Sequence, residues 1–349
     1  MKKICLVTLT LAAGGAERFV SELANYWANQ GHEVHLVLLF KKPHFYTLDE
    51  RIKVFEPDFS RTTTGKLAYF YHLWGYLRRT VQQIAPDTVL NVGYNSLVAF
   101  CLKGLPYPVF ISNRSNPEKP RPFWYKLIRR WIYGGVNGML AQTSLAKRYF
   151  TSHTGQQNIA VIPNFVRPIA DTESQPEQAI VSVGRFIKSK NFGALLRIFA
   201  QINPTDWKLI LVGDGPQRAA LEQQAQDLGI TDRVEFAGMQ KNVDAYLQRG
   251  AIFAFPSLSE GFPNALLEAM ATPLACVSYD CPAGPADLIE HGVNGFIVPL
   301  NDEALFQQYL ETLMRDQALR ERIRAQAVQV REKHSLATLS EQILRFITP

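Results

Sequence analysis

Short apolar runs alternate with helix-like segments along the whole chain, and this alternation limits the fold more than any other feature. Such runs predict strands in the first half at 4–8, 34–39, 88–91, 109–112, 139–141 and 160–162. The second half repeats the pattern at 179–183, 209–212, 234–236, 252–255, 275–278 and 296–298. Continuous apolar strands separated by helices are typical of parallel sheets covered on both faces. The sequence therefore predicts an α/β protein with two doubly wound, Rossmann-like sheets.

A polar stretch at 171–178 separates the two series of strands and is predicted to be a linker. The chain has 349 residues, enough for two domains that each bury a core. We expect a first domain at 1–165 and a second at 178–335. Two such sheets would face each other across a cleft, and ligands of this fold class bind at the carboxyl ends of the strands.

The charge is distributed unevenly between the two halves. The net charge is +6, but residues 1–165 hold 20 lysines and arginines against nine acidic residues, while the remainder is mildly acidic. With 47% hydrophobic and 19% charged residues, the composition excludes a largely disordered chain. The basic half suggests an anionic partner, either a membrane surface or a nucleic acid.

Targeting and metal-binding signals are weak. The four cysteines, at positions 5, 101, 276 and 281, lack metal-ligand spacing, which indicates a reducing cytoplasm and no zinc site. The basic and apolar start resembles a signal peptide, but Gly14 and Gly15 and a charged amphipathic helix follow directly, as in a first strand and its loop. No uninterrupted apolar span is long enough to cross a membrane.

Two carboxylates follow the apolar run at 251–255. Glu260 precedes a short predicted helix that ends before Pro273, and Glu268 lies more than one turn inside it. Pro263 suits the first helical turn, so the N–H groups of Asn264, Ala265 and Leu266 are expected to be unpaired and to bind an anion. Such a segment fits a nucleotide sugar, which has hydroxyls at both ends and a diphosphate between them. The alternative is an amphipathic helix whose glutamates are only solvated.

A basic loop follows the first strand of the second half. Gly184 allows close approach of the backbone, and Arg185 and Lys190 place two cations where a leaving diphosphate would develop charge. The alternative is a solvated loop, and Lys188 is predicted to be exposed and uninvolved.

These two segments resemble motifs of the family 4 retaining glycosyltransferases, which have the two-domain GT-B fold. Residues 260–268 match the family's E-x7-E pattern and residues 184–191 match G-R-x4-K-N. The resemblance implies that Glu260 contacts the hydroxyls of the donor sugar, that Glu268 contacts the ribose, and that Arg185 and Lys190 bind the diphosphate. It implies no metal and no cofactor other than the donor substrate.

The resemblance also assigns roles elsewhere in the chain. It places Gly14 and Gly15 beside the donor diphosphate and the acceptor, and Gly238 at the nucleotide base, although Gly238 could equally serve only a turn. Arg114 stands where many relatives carry a histidine that contacts the donor sugar, so it is assigned to the acceptor or sugar side. The loop at 280–285 resembles the C-P-x-G-P loop of a subgroup and suggests a galactose or N-acetylhexosamine donor. The last helix, about 336–347, is expected to cross back onto the first domain.

Two segments, 66–79 and 121–133, combine tryptophan, tyrosine and phenylalanine with lysine and arginine. Aromatic and cationic side chains at helical spacing suit a membrane interface. The alternative is a pair of surface helices that bury their aromatic side chains in the core. Two such segments in the basic half favour an anionic membrane surface as the partner.

The sequence thus predicts a retaining, metal-independent glycosyltransferase that moves a hexose or N-acetylhexosamine from a UDP-sugar. Its acceptor would be a lipid-linked oligosaccharide or polysaccharide precursor, as in bacterial lipopolysaccharide synthesis, at the cytoplasmic face of the membrane. Two alternatives stay open. One is a UDP-sugar epimerase or hydrolase of the same fold. The other is a non-catalytic protein that binds nucleotide sugars or nucleic acid, although a nucleic acid is not the expected partner.

Overall fold

The computed structural model of the protein describes residues 1–12, 14–59, 65–93, 95–114, 123–167, 169 and 176–348. The chain divides into two compact units. The first comprises Met1–Phe165 together with Leu336–Pro349, and the second comprises Val166–Ser335. Most of the predicted linker, at 171–175, lies outside the described residues.

The first unit is built on a parallel sheet in the order β3-β2-β1-β4-β5-β6-β7. Its strands are β1 Lys3–Thr8, β2 Glu33–Leu38, β3 Lys53–Phe55, β4 Thr88–Val92, β5 Val109–Asn113, β6 Gly138–Ala141 and β7 Ile159–Val161. Its helices are α1 Gly15–Asn29, α2 Lys66–Ile84, α3 Asn95–Leu102, α4 Phe123–Tyr133, α5 Ser144–Thr154 and the last helix of the chain, α14 Leu336–Ile347. The sequence predicted six of these strands and missed β3, which is only three residues long and is not buried.

The second unit has a parallel sheet in the order β10-β9-β8-β11-β12-β13. Its strands are β8 Ala179–Val183, β9 Lys208–Val212, β10 Val234–Gly238, β11 Ile252–Phe255, β12 Ala275–Tyr279 and β13 Phe296–Val298. Its helices are α6 Phe192–Ile202, α7 Arg218–Asp227, α8 Val243–Arg249, α9 Asn264–Ala271, α10 Pro285–Leu288, α11 Glu303–Arg315, α12 Gln317–Ala327 and α13 Val330–Lys333. The prediction of two doubly wound α/β sheets is confirmed.

Each sheet is covered on both faces, as the continuous apolar strands require. Along β1, Ile4 and Leu6 point into one core and Cys5 and Val7 into the other, since successive side chains of a strand alternate between its faces. The last helix fills the core that contains Ile4 and Leu6, where its Ile343 is completely buried.

The strand order creates a switch point in each sheet. In the second unit, β8 pairs with β9 on one side and with β11 on the other. The strands up to β10 are therefore added on one side of β8, and the strands from β11 onward on the other. The loops that follow β8 and β11 therefore emerge side by side at the carboxyl edge, where ligands of such folds bind. In the first unit, β1 lies in the same way between β2 and β4.

The loops after β8 and β9 approach each other so closely that glycine is required. The amide of Phe186 donates to the carbonyl of Asp214 at 2.9 Å. A Cβ atom on Gly213, whose φ is +141°, would overlap the carbonyl oxygen of Gly184. A Cβ atom on Gly215 would lie 2.5 Å from the carbonyl oxygen of Phe186.

We expect Gly213→Ala to lower the free energy of unfolding by roughly 3 kcal/mol, because the added methyl group combines an unfavourable φ with overlap of a backbone oxygen. The matched control is Gly229→Ala, whose φ is +67° and whose Cβ would meet no atom within 4 Å. That control should lose only about 1 kcal/mol. Urea unfolding followed by circular dichroism measures both, and equal losses would contradict the packing argument.

Candidate active site

Lys190 and Glu260 form an ion pair at the switch point of the second unit, between Nζ and Oε1. The side chains are only 18% and 10% exposed. A second link joins the same loops, because the amide of Leu258 donates to the carbonyl of Ser189 at 2.8 Å. Two residues that the sequence analysis assigned to different parts of one ligand are therefore in direct contact.

Local structure holds Lys190 in place. It ends a single 3₁₀ turn, Lys188–Lys190, and its amide donates to the carbonyl of Ile187 at 3.0 Å. Its ammonium group also lies 5.6 Å from the centre of the Phe255 ring, at the end of β11. Lys188 in the same turn is exposed, as predicted. The turn thus directs Lys190 toward Glu260 and leaves Lys188 exposed to solvent.

Arg185 lines a cavity of about 550 Å³ at the carboxyl edge of the second sheet. Its side chain is exposed, and within the described part of the chain no carboxylate pairs with it. The remaining lining residues come from the ends of three neighbouring strands and from the start of α8: Val183, Gly184, Val212, Gly213, Asp214, Gly215, Met239, Gln240 and Val243.

Most of this lining was not predicted. Gly238 was expected at the nucleotide base, but no role was assigned to Gly213, Gly215 or Gln240. Gly238 contributes through its backbone: its φ is +71°, and its carbonyl accepts the amide of Gly213 at 2.9 Å. Met239 and Gln240 then form the wall. The available signal was a glycine at the end of each neighbouring strand.

The helix α9 begins one residue later than predicted and has one fewer donor. Pro263 precedes the first helical residue, and the amide of Asn264 donates to the carbonyl of Phe262 at 3.0 Å. The expectation of an unpaired N–H at Asn264 is therefore wrong, because the chain turns tightly there and supplies its own acceptor. Ala265 and Leu266 have no backbone acceptor among the described residues.

Glu268 is held on α9 by the packing of its neighbours. Leu266, Leu267, Ala269 and Met270 are buried in the core beneath the helix, so the backbone that carries Glu268 is fixed. The Glu268 side chain itself is 19% exposed and forms an ion pair with Arg167.

Cys281 lies close enough to Lys190 and Glu260 for their charges to influence it. Burial raises the pKa of its thiol to about 12, so the thiol is protonated at neutral pH. Its side chain packs into the protein, and a buried, protonated thiol is a poor nucleophile.

In the first unit, Gly14 and Gly15 lie at the start of α1, at the carboxyl edge of β1. The Tyr46 hydroxyl holds this loop, because it donates to the Gly14 carbonyl at 2.9 Å and accepts the Gly14 amide at 3.2 Å. A Cβ atom on Gly14 would overlap the Glu17 carboxylate, which folds back over the glycine from the first turn of the helix.

Arg114 contacts several residues of the first unit. Its Nε donates to Ser112 Oγ at 2.9 Å and its Nη1 to Asn164 Oδ1 at 2.6 Å, and its guanidinium lies 3.5 Å from the centre of the Phe19 ring. Burial lowers its pKa to about 9. Nη2 is buried and has no hydrogen-bond partner. A role on the sugar side stays a prediction, and Ser115 and Asn116 of the same loop lie outside the described residues.

In the described parts of the two aromatic segments, some side chains are buried and others are exposed. In α2, Tyr69, Leu73 and Leu77 are buried, so the core alternative holds for that face. Seven exposed side chains form a surface that we call the aromatic patch: Leu67, Phe70, Tyr71 and Trp74 of α2, Phe100 of α3, and Ile128 and Trp131 of α4. Phe100 lies outside the two predicted segments, and positions 121 and 122 lie outside the described residues.

Ring contacts join part of the aromatic patch, and cations border it. The Phe100 ring is 6.1 Å from Phe70 and 6.2 Å from Trp131, so it joins the exposed faces of α2 and α4. The Lys103 ammonium lies 3.3 Å from the centre of the Trp131 ring, and the Arg78 guanidinium 5.3 Å from that of Trp74.

No group of three or more histidine, cysteine, aspartate or glutamate side chains in the described ranges could hold a metal ion. None of the helices that the structure describes has the length and apolar character needed to span a bilayer.

Two family models match consecutive parts of the chain. The model described as "Glycosyltransferase Family 4" matches residues 13–168. The model described as "Glycosyl transferases group 1" matches residues 169–330.

Relatives of known name match over nearly the full length. One, from Campylobacter jejuni subsp. jejuni serotype O:2, is a GalNAc-alpha-(1->4)-GalNAc-alpha-(1->3)-diNAcBac-PP-undecaprenol alpha-1,4-N-acetyl-D-galactosaminyltransferase. It is 26% identical and the match covers 99% of this chain and 98% of the relative. The amylovoran biosynthesis glycosyltransferase AmsD of Erwinia amylovora is 26% identical, with 91% and 92% covered.

Solved structures share the fold. The lipopolysaccharide outer core galactosyltransferase WaaB, in its apo form, has a TM-score of 0.79 at 20% identity, with 99% of both chains covered. Anabaena Alr3699/HepE in complex with UDP has a TM-score of 0.78 at 19% identity, with 98% of both chains covered. These neighbours have the GT-B fold, which the sequence analysis expected. The two family matches, the E-x7-E and G-R-x4-K-N motifs and this fold lead to one conclusion: the chain belongs to glycosyltransferase family 4.

Proposed function

We propose that this glycosyltransferase moves a hexose or an N-acetylhexosamine from a UDP-sugar to a lipid-linked glycan precursor, with retention of configuration and without a metal. Galactose, N-acetylgalactosamine and N-acetylglucosamine are the donor sugars we favour. The acceptor would be a lipid-linked oligosaccharide or polysaccharide precursor at the cytoplasmic face of the membrane. The named activity of the Campylobacter relative, transfer of N-acetylgalactosamine to an undecaprenol-linked glycan, supports this choice.

The ion pair between Lys190 and Glu260 carries the proposal. These residues are 70 positions apart, and strand pairing brings them together at the edge where ligands of this fold class bind. A cation and a carboxylate in contact can address the two neighbouring parts of a sugar diphosphate. Lys190 would bind phosphate oxygens, and Glu260 would accept hydrogen bonds from the sugar hydroxyls.

We assign the rest of the donor to the remaining residues of the second unit. Arg185 would bind the diphosphate as a bidentate cation, together with the N–H groups of Ala265 and Leu266 at the start of α9. The base would occupy the cavity of about 550 Å³ beside Arg185, next to Gly238, and Glu268 would accept hydrogen bonds from the ribose. In the first unit, Gly14 and Gly15 would approach the diphosphate and the acceptor.

The proposed reaction breaks the bond between the sugar C1 and the diphosphate oxygen, and the acceptor oxygen bonds to C1 from the same face. The proton of the acceptor hydroxyl passes to the departing phosphate, so no protein general base is assigned. Arg185 and Lys190 would stabilise the negative charge that develops on the leaving diphosphate. Preorganised donors of this kind are often the largest single contribution to catalysis.

We expect Lys190→Ala to reduce kcat/KM for sugar transfer by about 100-fold or more, because it removes a preorganised cation from the leaving group. Lys188→Ala is the matched control: it removes an exposed lysine from the same turn and should leave transfer within about twofold. UDP release from the UDP-sugars named above, with membranes that carry lipid-linked precursors, measures the rate.

Glu260→Gln should also reduce transfer strongly, while thermal unfolding reports whether either variant has lost its fold. Unchanged transfer in both variants would contradict the proposed site. Full UDP release without an acceptor would instead favour a hydrolase. A panel of UDP-, GDP- and ADP-sugars in the same thermal assay tests the nucleotide, because a ligand that binds the native state raises its melting temperature.

We also propose that the aromatic patch binds the anionic surface of the membrane that carries the acceptor. Aromatic side chains with cations beside them are suited to the boundary between headgroups and acyl chains. Lys103 and Arg78 at the edge of the patch would face the anionic headgroups, while Trp131, Tyr71 and Leu67 would insert.

The combination Tyr71→Ser and Trp131→Ser should lower partitioning onto phosphatidylglycerol vesicles by about tenfold or more, because it removes two exposed apolar side chains from the patch. The control Phe45→Ser removes an aromatic side chain of the same unit that is 69% exposed, compared with 70% for Tyr71, but lies outside the patch. Vesicle sedimentation measures the bound fraction. Equal partitioning of the double variant and the wild type would rule out the patch as the contact surface.

A further inference from the structure

The first residues of the second unit bring an arginine to the proposed ribose-binding glutamate, and the sequence analysis did not single it out. Arg167 Nε lies 3.6 Å from Glu268 Oε1, and its Nη2 lies 2.6 Å from Asp244 Oδ1. All three side chains are mostly buried, with exposed fractions of 27%, 19% and 21%. We infer that Arg167 is a positioning residue, which holds the Glu268 carboxylate in the orientation that accepts the ribose hydroxyls. This inference rests on the proposed function of Glu268.

The geometry of the guanidinium explains how one arginine can serve two carboxylates. A guanidinium is a planar group with donors on different edges, and it is charged at all physiological pH values. Asp244, at the start of α8, occupies one end of the guanidinium. This contact restrains the plane of the group, and Nε lies on another edge, 3.6 Å from Glu268 Oε1. A lysine could supply the charge but not two fixed directions.

The unpaired Arg167 Nε gives a reason for the Glu268 carboxylate to stay close to Arg167. Nε is buried, and at 3.6 Å from Glu268 it has no hydrogen-bond partner in the structure. A buried donor without a partner is unfavourable. A small rotation of the Glu268 side chain toward Nε would complete the bond, and a carboxylate has enough lone pairs to accept an arginine and two hydroxyls together. A glutamate that is already restrained loses less side-chain entropy when it binds the ribose.

A purely structural role, in which Arg167 only ties its segment to the second unit, accounts for less of the structure. The segment is already held there without it. The amide of Val166 donates to the carbonyl of His334 at 2.8 Å, and the Val166 side chain is buried in the core beneath α9. An anchoring role would also need only the contact with Asp244, whereas the position of Nε beside Glu268 is what the positioning role requires.

The test compares the affinity of the protein for UDP and for 2′,3′-dideoxy-UDP, which lacks both ribose hydroxyls, by isothermal titration calorimetry. The dissociation constant for 2′,3′-dideoxy-UDP divided by that for UDP measures ribose recognition. This ratio is independent of overall stability and of catalysis. We expect Glu268→Gln to reduce this ratio by about tenfold, as for the loss of a charge-assisted hydrogen bond. Arg167→Gln should reduce it by about fivefold. The double variant should have the same ratio as Glu268→Gln alone, because both substitutions act on the same contact with the ribose.

Arg249 offers a matched control. It also lies between two carboxylates of the second unit, since its Nε is 2.8 Å from Glu177 Oε1 and its Nη2 2.8 Å from Glu235 Oε2. Arg249→Gln therefore removes a comparable ion-pair network, and the ratio should not change. If Arg167→Gln does not fold, Arg167→Lys carries the test, and its ratio should fall between those of the wild type and Glu268→Gln.

Each outcome separates the inference from the proposal beneath it. A wild-type protein that binds neither nucleotide overturns the proposed UDP-sugar donor and the inference with it. A wild type that prefers UDP, with that preference unchanged in Arg167→Gln, or in Arg167→Lys if only that variant folds, overturns the inference alone. Additive losses in the double variant would also overturn it, because Arg167 would then act independently of Glu268.

Discussion

Parallel strand pairing at β8 is the constraint on which the candidate site depends. Because β8 is bonded to β9 on one side and to β11 on the other, three loops that are distant in sequence share one edge of the sheet. The loop after β8 supplies Arg185 and Lys190, the loop after β9 supplies the glycines that let the backbones approach, and the loop after β11 supplies Glu260. With a different strand order, these groups would not lie together at one edge of the sheet.

Much of the fold could be predicted because buried parallel strands are apolar without interruption. Strand β3 was missed because three residues at the partly exposed edge of a sheet carry no such pattern. At the site, Glu260 and Lys190 were recognisable from their spacing within known motifs. The roles of Gly213 and Arg167 were not, since they follow from contacts between segments, which only the strand order and the packing of α8 and α9 specify. The amide of Asn264 shows the same limit, because a local turn supplies its acceptor.

The ionic side chains that are mostly buried near the candidate site are paired. Lys190 is paired with Glu260, and Arg167 with Glu268 and Asp244, in surroundings where an isolated charge would be strongly unfavourable. Arg185, by contrast, is exposed at the cavity and has no carboxylate partner among the described residues. An incoming anion would therefore meet Arg185 first, and Lys190 would bind it while still in contact with Glu260.

The placement of the last helix has a consequence for biosynthesis. Leu339, Ile343 and Ile347 complete the same core as Ile4 and Leu6, so the first unit cannot finish folding until residues 336–347 have left the ribosome. The second unit, Val166–Ser335, is continuous in sequence and is fully synthesised earlier. Nascent proteins generally fold their amino-terminal domain first, whereas here every residue of the second unit is synthesised before the core of the first unit can be completed. During that interval the unfinished core exposes apolar surface to which a chaperone could bind.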